Sequence, residues 1–302
     1  MDTFSQRHGF KPKREIMQIE SMNQDLRNSL WNVLVLLVWE KLEKYYQDYG
    51  PIDYSSLGQD FEVNEIKSLI WLLWFSHFKQ TLDTLTGVWT LDFKFIKTLF
   101  FKYQWHEVYD FLEFIATNYK SNAQLEKFID LCNHVLEREM SGYRFIGSII
   151  TPITSETEIK AIEEALASED KLALVSQHIN TAITHLSRKE NPDYRNSIKE
   201  SISAVESICR LIANDNKTTL GKALNIIEKQ QKVALNGLLK EAYSKLYGYT
   251  SGAEGIRHAL LDESNLDFED AKFMLVSCSA FINYLKGKAI QTGIEFKNQQ
   301  PE

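Results

Sequence analysis

The chain has 302 residues, of which 44% are hydrophobic and 12% aromatic, and its formal net charge is −7. Residues 1–140 carry 15 Lys and Arg against 20 Asp and Glu, and residues 141–302 carry 19 against 21. This balance excludes a strongly basic protein that coats DNA without specificity, and the length is typical of two domains.

Apolar residues recur every three or four positions along most of the chain, which predicts an all-α protein. In the first half, Ser21-Met-Asn-Gln24 has the pattern of a capping box that opens a helix, and Asp48-Tyr-Gly-Pro51 ends it. Further helices are predicted near residues 62–79, 92–103, 105–119 and 122–140, the last one opened by the box Ser121-Asn-Ala-Gln124.

The periodicity changes between Gly142 and Ile153, a segment rich in β-branched residues that contains two glycines and a proline. Such a composition predicts a short extended segment or hairpin. We therefore expect two helical bundles joined by this segment: residues 1–140 as the first domain, 141–155 as the linker or short β-hairpin, 156–292 as the second bundle and 293–302 as a tail.

In the second half, Ser155-Glu-Thr-Glu158 is a third capping box and predicts a helix that runs to about Ala167. A helix over 170–188 follows, and Asn191-Pro192-Asp193 opens a long helix to about Ala213 with the proline in its first turn. The remaining predicted helices lie near residues 218–229, 231–247 and 268–288, and Asp267 caps the last of them.

The two halves differ in the residues available for their cores. All six tryptophans, at positions 31, 39, 71, 74, 89 and 105, fall in the first half, whereas the second half relies on Ile, Leu, Ala and Val. Each half is long enough to fold without a metal or a disulfide. The three cysteines, Cys132, Cys209 and Cys278, are far apart and odd in number, which favours buried thiols in a reducing compartment.

The sequence also predicts where the protein is found. The polar start has no signal-peptide pattern, and no apolar run approaches the 18 residues of a membrane helix. We therefore expect a cytoplasmic protein that does not bind membranes.

The segment from Tyr249 to Glu263 is the first candidate site, because a glycine-rich loop there precedes Arg257 and His258. Arginine binds phosphate as a rigid fork of donors, and histidine exchanges protons near neutral pH. Neighbouring residues on a helix point about 100° apart, so these two side chains would serve one phosphate only across a dimer axis. The alternative is structural, with Arg257 paired to a nearby carboxylate and His258 bonded to a loop carbonyl.

A second candidate site is a basic patch near the start of the chain. Its members are Arg7, His8, Lys11, Lys13 and Arg14. Such a patch, beside the ring of Phe10, is able to bind a nucleic-acid backbone. A solvated terminus with no ligand has the same composition, so both interpretations stay open.

The other titratable residues give weaker signals. His178 and His185 lie two turns apart on one helix face, with Arg188 one turn further, and this stripe is placed to line a groove. Metal ligands on a helix are three or four residues apart, so we expect no metal site there. Glu200 and Glu206 fall on separate helix flanks. No P-loop, dinucleotide fingerprint, nucleophile elbow or zinc spacing is present, and we expect no cofactor.

Two groups of segments resemble known families. Phe4-Ser-Gln-Arg-His-Gly-Phe-Lys-Pro12, with Ile19-Glu-Ser-Met22 and Leu26-Arg-Asn-Ser-Leu-Trp31, resembles the N-terminal module of AbiJ-type abortive-infection proteins of bacteria. The run from Tyr194 to Glu206, with Gly255-Ile-Arg-His-Ala259, is similar to helical bundles of the HEPN superfamily, which include RNA-cleaving toxins and phage-defence effectors.

The resemblance implies an AbiJ-type domain over 1–140 and a HEPN-like bundle over 156–292. Active HEPN nucleases share an arginine followed four to six residues later by a histidine. None of the arginines here, at 7, 14, 27, 138, 144, 188, 195, 210 and 257, has a histidine at that spacing. The resemblance thus implies RNA binding, while the chain departs from the pattern of the RNA-cleaving members.

These observations together predict an anti-phage protein whose second bundle binds RNA and is a candidate ribonuclease. The alternative is a non-catalytic protein–protein or antitoxin-like module on an inactive HEPN bundle, with a phage or host protein as partner. We also expect a homodimer through the second bundle, because the last helix carries more apolar residues than one packing face uses. These residues are Phe273, Val276, Ala280, Ile282 and Leu285.

Overall fold

A computed structural model describes residues 4, 8, 17–54, 61–119, 122–167, 170–188, 192–251 and 266–296. Within these ranges the chain is mostly helical, and its one sheet is a two-stranded hairpin. The prediction of an all-α protein with a short hairpin is therefore confirmed. The chain forms two compact units, Met1–Pro152 and Ile153–Glu302.

Unit 1 contains six helices and the hairpin within its described part. The helices are α1 (Gln24–Leu34), α2 (Glu40–Tyr49), α3 (Phe61–Leu72), α4 (Trp89–Lys102), α5 (Trp105–Asn118) and α6 (Asn122–Arg138), and the strands are β1 (Arg144–Ile146) and β2 (Ile149–Thr151). Two π-helical segments interrupt the α-helical pattern: Val35–Trp39 joins α1 to α2, and Leu73–His77 extends α3.

The first helix begins two residues later than its sequence pattern predicts. Asn23, not Ser21, is the N-cap, and its side chain accepts a hydrogen bond from the backbone N–H of Leu26 at 2.9 Å. The N–H of Asn23 donates to Gln18 Oε1 at 2.7 Å. In the predicted box, Gln24 would accept the N–H of the N-cap residue Ser21. In the structure Gln18 accepts the N–H of Asn23 instead, and Asn23 is the N-cap. The cap that was predicted at Ser121 lies outside the described residues.

Large aromatic side chains fill the core of unit 1. Among the most deeply buried are Trp39, Trp74, Trp89, Phe100, Phe111, Phe128 and Phe145. Trp31 is buried as well, with its ring 5.1 Å from that of Phe100. Trp71 and Trp105 are only half-buried, so the expectation that all six tryptophans belong to the core is correct for four of them.

The hairpin belongs to unit 1, where side chains of α5 and α6 hold it. Strands β1 and β2 pair antiparallel, with Phe145 opposite Ile150. Asn133 forms two hydrogen bonds with the backbone of Phe145, accepting from its N–H at 2.7 Å and donating to its carbonyl at 3.0 Å. Glu113 accepts the N–H of Ile150. Burial raises the pKa of Glu113, and this hydrogen bond offsets part of the effect.

His77, at the end of the second π-helical segment, lies among four aromatic rings, of which that of Phe114 is 5.1 Å away. Burial lowers the pKa of His77, and the charges of Asp110 and Glu107 offset only part of this. Because the pKa of His77 is lower in the folded state than in the unfolded chain, this residue does not affect stability at high pH, where both states are neutral. Below about pH 6.5 the unfolded chain binds a proton more readily than the folded state, so the free energy of unfolding falls.

We therefore expect His77→Phe to flatten the pH dependence of the free energy of unfolding between about pH 7.5 and pH 5. Denaturant titrations followed by tryptophan fluorescence report on unit 1, because all six tryptophans lie there. Equal slopes against pH for the variant and the wild type would contradict this assignment.

Unit 2 consists of helices in its described part. They are α7 (Glu156–Leu166), α8 (Ala173–Leu186), α9 (Tyr194–Ala213), α10 (Leu220–Lys229), α11 (Gly237–Ser251) and α12 (Phe268–Gln291). Helix α9 lies at the centre, in its most extensive contacts with α8 and α12, while α7 packs on α12. Phe296 of the predicted tail is buried, and its carbonyl accepts the N–H of Lys171 at 3.0 Å.

Small side chains bring α8 and α9 close together. Ser197 is fully buried and donates its hydroxyl to the carbonyl of Ala182 at 2.9 Å. Ser201 and Ala204 continue the same buried face of α9. Since neither serine nor alanine holds the helices apart, polar side chains at the edges of this contact come within reach of each other.

Two of the three helix starts predicted for unit 2 from capping residues are confirmed. Ser155 caps α7 by accepting the N–H of Glu158, and Asp267 caps α12 by accepting the N–H of Asp270 while its own N–H donates to the Asp270 carboxylate. The start of α9 differs from the prediction. Asp193 is its N-cap and accepts the N–H of Asn196 at 3.0 Å, so Pro192 precedes the cap and is not in the first turn.

The apolar residues of α12 divide between the core and the surface. Ile282 and Leu285 are fully buried inside unit 2 and so cannot add to an exposed dimer face, contrary to the expectation. Phe273 remains 58% exposed, and Ala280 is exposed as well. The apolar surface that α12 offers to a second copy is thus smaller than its sequence predicts.

The cysteines follow the prediction of buried thiols. All three are free and buried. Burial raises the pKa of each thiol, that of Cys278 to about 12. In the described ranges, none of the helices has both the length and the apolar character that a membrane crossing requires.

Candidate functional site

Most residues of the two predicted sites fall outside the part of the chain that the structure describes. These are Arg257 and His258 of the first site, and Arg7, Lys11, Lys13 and Arg14 of the basic patch. His8 is described: it is exposed, and its ring lies 4.3 Å from that of Phe4. The described residues instead bring together polar side chains along α8.

A groove of about 560 Å³ runs along the outer face of α8. The residues that line it form one helical stripe: Ala173, Ser176, Gln177, Asn180, Thr181, Thr184, His185 and Arg188. Helix periodicity explains the stripe, because the apolar residues Val175, Ile179 and Ala182 are turned to the core and leave the polar ones outside. The prediction that His178, His185 and Arg188 form a stripe lining a groove is confirmed for His185 and Arg188, whereas His178 does not line the groove.

His185 faces a carboxylate that the next helix supplies. Its Nδ1 lies 3.9 Å from Asp193 Oδ2, and the two side chains are 20% and 34% exposed. No described residue forms a hydrogen bond with this nitrogen, although it is buried. The distance exceeds that of a hydrogen bond, and catalytic contacts are often long before substrate binds.

Asp193 is held in its charged form. Burial by itself raises the pKa of Asp193, but the hydrogen bonds from Asn196 together with the charges of His185 and Arg188 outweigh it and leave the pKa lowered. One of these bonds comes from the side chain of Asn196, 2.6 Å from Asp193 Oδ2. The carboxylate is therefore an ionised, fixed acceptor beside the imidazole of His185.

Arg188 lies shortly beyond His185 in the chain and lines the same groove. Helix α8 ends at Leu186, so Arg188 follows the helix, and its guanidinium and the imidazole of His185 are open to one ligand because both line this groove. The uncharged donors and acceptors of the groove, such as Gln177 and Asn180, fit the polar edges of an organic ligand.

A second histidine–carboxylate pair lies two turns away. His178 Nδ1 and Glu200 Oε2 are 2.6 Å apart, and both side chains are partly buried. This contact joins α8 to α9 and does not line the groove. Glu206 is engaged elsewhere, 3.0 Å from Arg210 Nη2. The two glutamates thus have separate partners, as their positions on opposite flanks of α9 predict.

A second cavity of unit 2, of about 580 Å³, contains Lys171 and Lys232. Both lysines bind backbone carbonyls: Lys171 Nζ lies 3.2 Å from the carbonyl of Glu295, and Lys232 Nζ lies 2.8 Å from that of Ala213. Lysines at helix ends commonly stabilise the last carbonyls in this way. We therefore assign this cavity a structural role.

The α8 groove presents an imidazole and a guanidinium, and the carboxylate of Asp193 lies beside the imidazole. Such a set is suited to binding a phosphate and to moving a proton at an adjacent hydroxyl. Among the described residues, no group of three His, Cys, Asp or Glu side chains is placed to hold a metal ion. The sequence placed His185 and Arg188 on one stripe, but it gave no signal that Asp193 would lie opposite.

A family model described as AbiJ N-terminal domain 4 matches residues 2–168, more than half of the chain. The match covers unit 1 and continues through α7, so the groove on α8 lies beyond it. No curated protein and no solved structure matches the chain significantly.

Proposed function

This chain belongs to the AbiJ N-terminal domain 4 family, and from that premise we propose that it acts in abortive infection, the bacterial defence against phage, by binding RNA through unit 2. The observation that supports RNA as the ligand is the α8 groove, which Arg188 and His185 both line. Arginine pairs with phosphate, and the neighbouring amides and hydroxyls are able to read single-stranded bases.

We extend the proposal to RNA cleavage with His185 as general base. His185 takes the proton of a ribose 2′-hydroxyl while Asp193 orients the imidazole, and the 2′ oxygen bonds to phosphorus. The bond from phosphorus to the 5′ oxygen breaks, and the leaving oxygen takes a proton from solvent. Arg188 offsets the charge of the phosphorane. The products are a 2′,3′-cyclic phosphate and a 5′-hydroxyl.

The HEPN-like character of unit 2 is part of this proposal. A central helix, α9, packed on α8 and α12 is consistent with such a bundle. Arg257 and His258 remain the alternative catalytic pair.

A homodimer through unit 2 would bring two copies of either site together, and Phe273 and Ala280 are the exposed apolar residues of α12 that it would use. Light scattering at micromolar concentration measures the dimer directly, and a monomer contradicts it.

A second candidate function is a non-catalytic protein–protein or antitoxin-like module. The sequence favours it in one respect, because no arginine precedes a histidine by four to six residues. The surface favours it in another, since Leu238 of α11 is 78% exposed and Phe273 of α12 is 58% exposed. A phage or host protein would be the partner.

Expression in bacteria with and without phage separates these functions. We expect the wild type and His258→Ala to cause growth arrest with loss of intact RNA, and His185→Ala to cause neither. The opposite order of the two variants would move catalysis to Arg257 and His258. Arrest by all three proteins with intact RNA would favour the non-catalytic module.

A further inference from the structure

Unit 1 exposes aromatic rings beside unpaired lysines, on helices that the proposed function does not use. This surface, here called the Phe75 surface, comprises Trp71, Phe75, Leu91, Phe95, Lys79, Lys94 and Lys102. Phe75 is 59% exposed and Leu91 is 54% exposed. Exposed large apolar side chains grouped on one part of a unit indicate a binding surface.

The rings of the Phe75 surface are positioned by their neighbours. Trp71 and Phe75 are stacked, with centroids 5.0 Å apart and planes 18° apart. Phe95 packs on Trp74, the residue before Phe75, at 5.1 Å. Phe95 of α4 thus packs against the π-helical segment that carries Phe75, and Phe75 itself is exposed enough for a planar ligand to reach it.

The charges of this surface have one sign along α4. Lys94 and Lys102 lie on the same side of α4 as Leu91 and Phe95, about 12 Å apart along the helix axis. They and Lys79 are exposed, and none forms an ion pair with a described residue. The only carboxylate of α4, that of Asp92, is buried and accepts hydrogen bonds from Tyr54 and Thr86.

This combination distinguishes between two kinds of partner. Protein–protein interfaces are depleted of lysine, although they are rich in aromatic residues. Surfaces that bind single-stranded nucleic acid combine aromatic rings, on which bases stack, with cations that follow the backbone. We propose that the Phe75 surface binds single-stranded nucleic acid, with a base stacked on Phe75 and phosphates beside Lys94 and Lys102.

The test uses the full chain and an oligouridylate, with oligothymidylate as a second probe to separate RNA from DNA. Trp71 is half-buried in the stacked pair, and unit 2 has no tryptophan. Binding at the Phe75 surface therefore changes tryptophan fluorescence, whereas binding in the α8 groove changes only the anisotropy of a labelled oligonucleotide.

We expect quenching in the wild type and an affinity about tenfold lower in Phe75→Ala, because base stacking contributes about 1–3 kcal/mol. Ile290→Ala, which shortens a similarly exposed apolar residue of unit 2, is expected to leave the quenching unchanged. Lys94→Gln should reduce the slope of log affinity against log salt by about 0.7, as expected for one phosphate contact on a single strand. Lys127→Gln, an exposed lysine of α6, should leave the slope unchanged.

No quenching by either probe overturns the proposal, as does equal affinity of Phe75→Ala and Ile290→Ala. Should Phe75→Ala fail to fold, an unchanged salt slope in Lys94→Gln has the same meaning. Binding that Arg188→Ala abolishes but that never quenches fluorescence retains the proposed function and rejects this surface. Two results together support the surface and reject the groove. The first is quenching that survives in Arg188→Ala, and the second is loss of intact RNA in cells by both His185→Ala and His258→Ala, as by the wild type.

Discussion

His185→Ala is expected to lower the rate of RNA cleavage by the purified protein by about 10²–10⁴-fold, the usual contribution of a general base. The reason is positional: His185 lines the groove with Arg188 and faces the ionised Asp193. The rate is measured with a short labelled RNA at saturating concentration, so that a change in binding does not hide a change in chemistry.

His178→Ala is the matched control. It removes a histidine of the same helix whose carboxylate partner, Glu200, also comes from α9, but which does not line the groove. We expect it to lower stability and to leave the cleavage rate of the folded protein near that of the wild type. Equal losses of rate in His178→Ala and His185→Ala would contradict the role of His185.

Asp193→Asn separates orientation from helix capping. Asparagine is as good an N-cap as aspartate, so α9 keeps its cap while the charge beside His185 is removed. A positioning role predicts a lower cleavage rate of the folded protein, and loss of a carboxylate whose pKa is lowered in the fold should also reduce stability at neutral pH. A purely structural role of Asp193 predicts no change in rate.

The second large effect concerns the core of unit 1. Phe100→Ala is expected to lower the free energy of unfolding by about 3–5 kcal/mol. Phe100 is fully buried, and its ring lies 5.1 Å from that of Trp31 and 5.7 Å from that of Phe111. The rings around it cannot close the space that alanine leaves, because each is also packed against others.

For a domain of about 150 residues, this loss corresponds to a melting temperature lower by about 6–20 °C. Tryptophan fluorescence is the appropriate probe, because it reports on unit 1 alone. Leu91→Ala, which shortens an exposed apolar residue of the same helix, should change stability by no more than about 0.5 kcal/mol. A fall below about 1 kcal/mol for Phe100→Ala would show that this core is loosely packed.

Local patterns in the sequence determined the helices of this protein and many of their ends. The period of apolar residues fixes which face of a helix is buried, and short-range hydrogen bonds fix caps such as Ser155 and Asp267. The same local chemistry predicted the hairpin between the helical segments. The local pattern did not predict that Asn23, and not Ser21, is the N-cap of α1. The side chain of Gln18, which lies outside the predicted capping box, accepts the N–H of Asn23.

Only the tertiary structure decided which side chains meet. Periodicity places His185 on the outer stripe of α8, whereas Asp193 Oδ2 lies 3.9 Å from His185 Nδ1 because the start of α9 comes back beside the end of α8. Ile282 and Leu285 were expected to add apolar surface for a dimer, but neighbouring helices bury them. The local sequence determines which face of a helix a side chain lies on. The residues that pack against that face come from segments distant in the chain, and no local pattern specifies their packing.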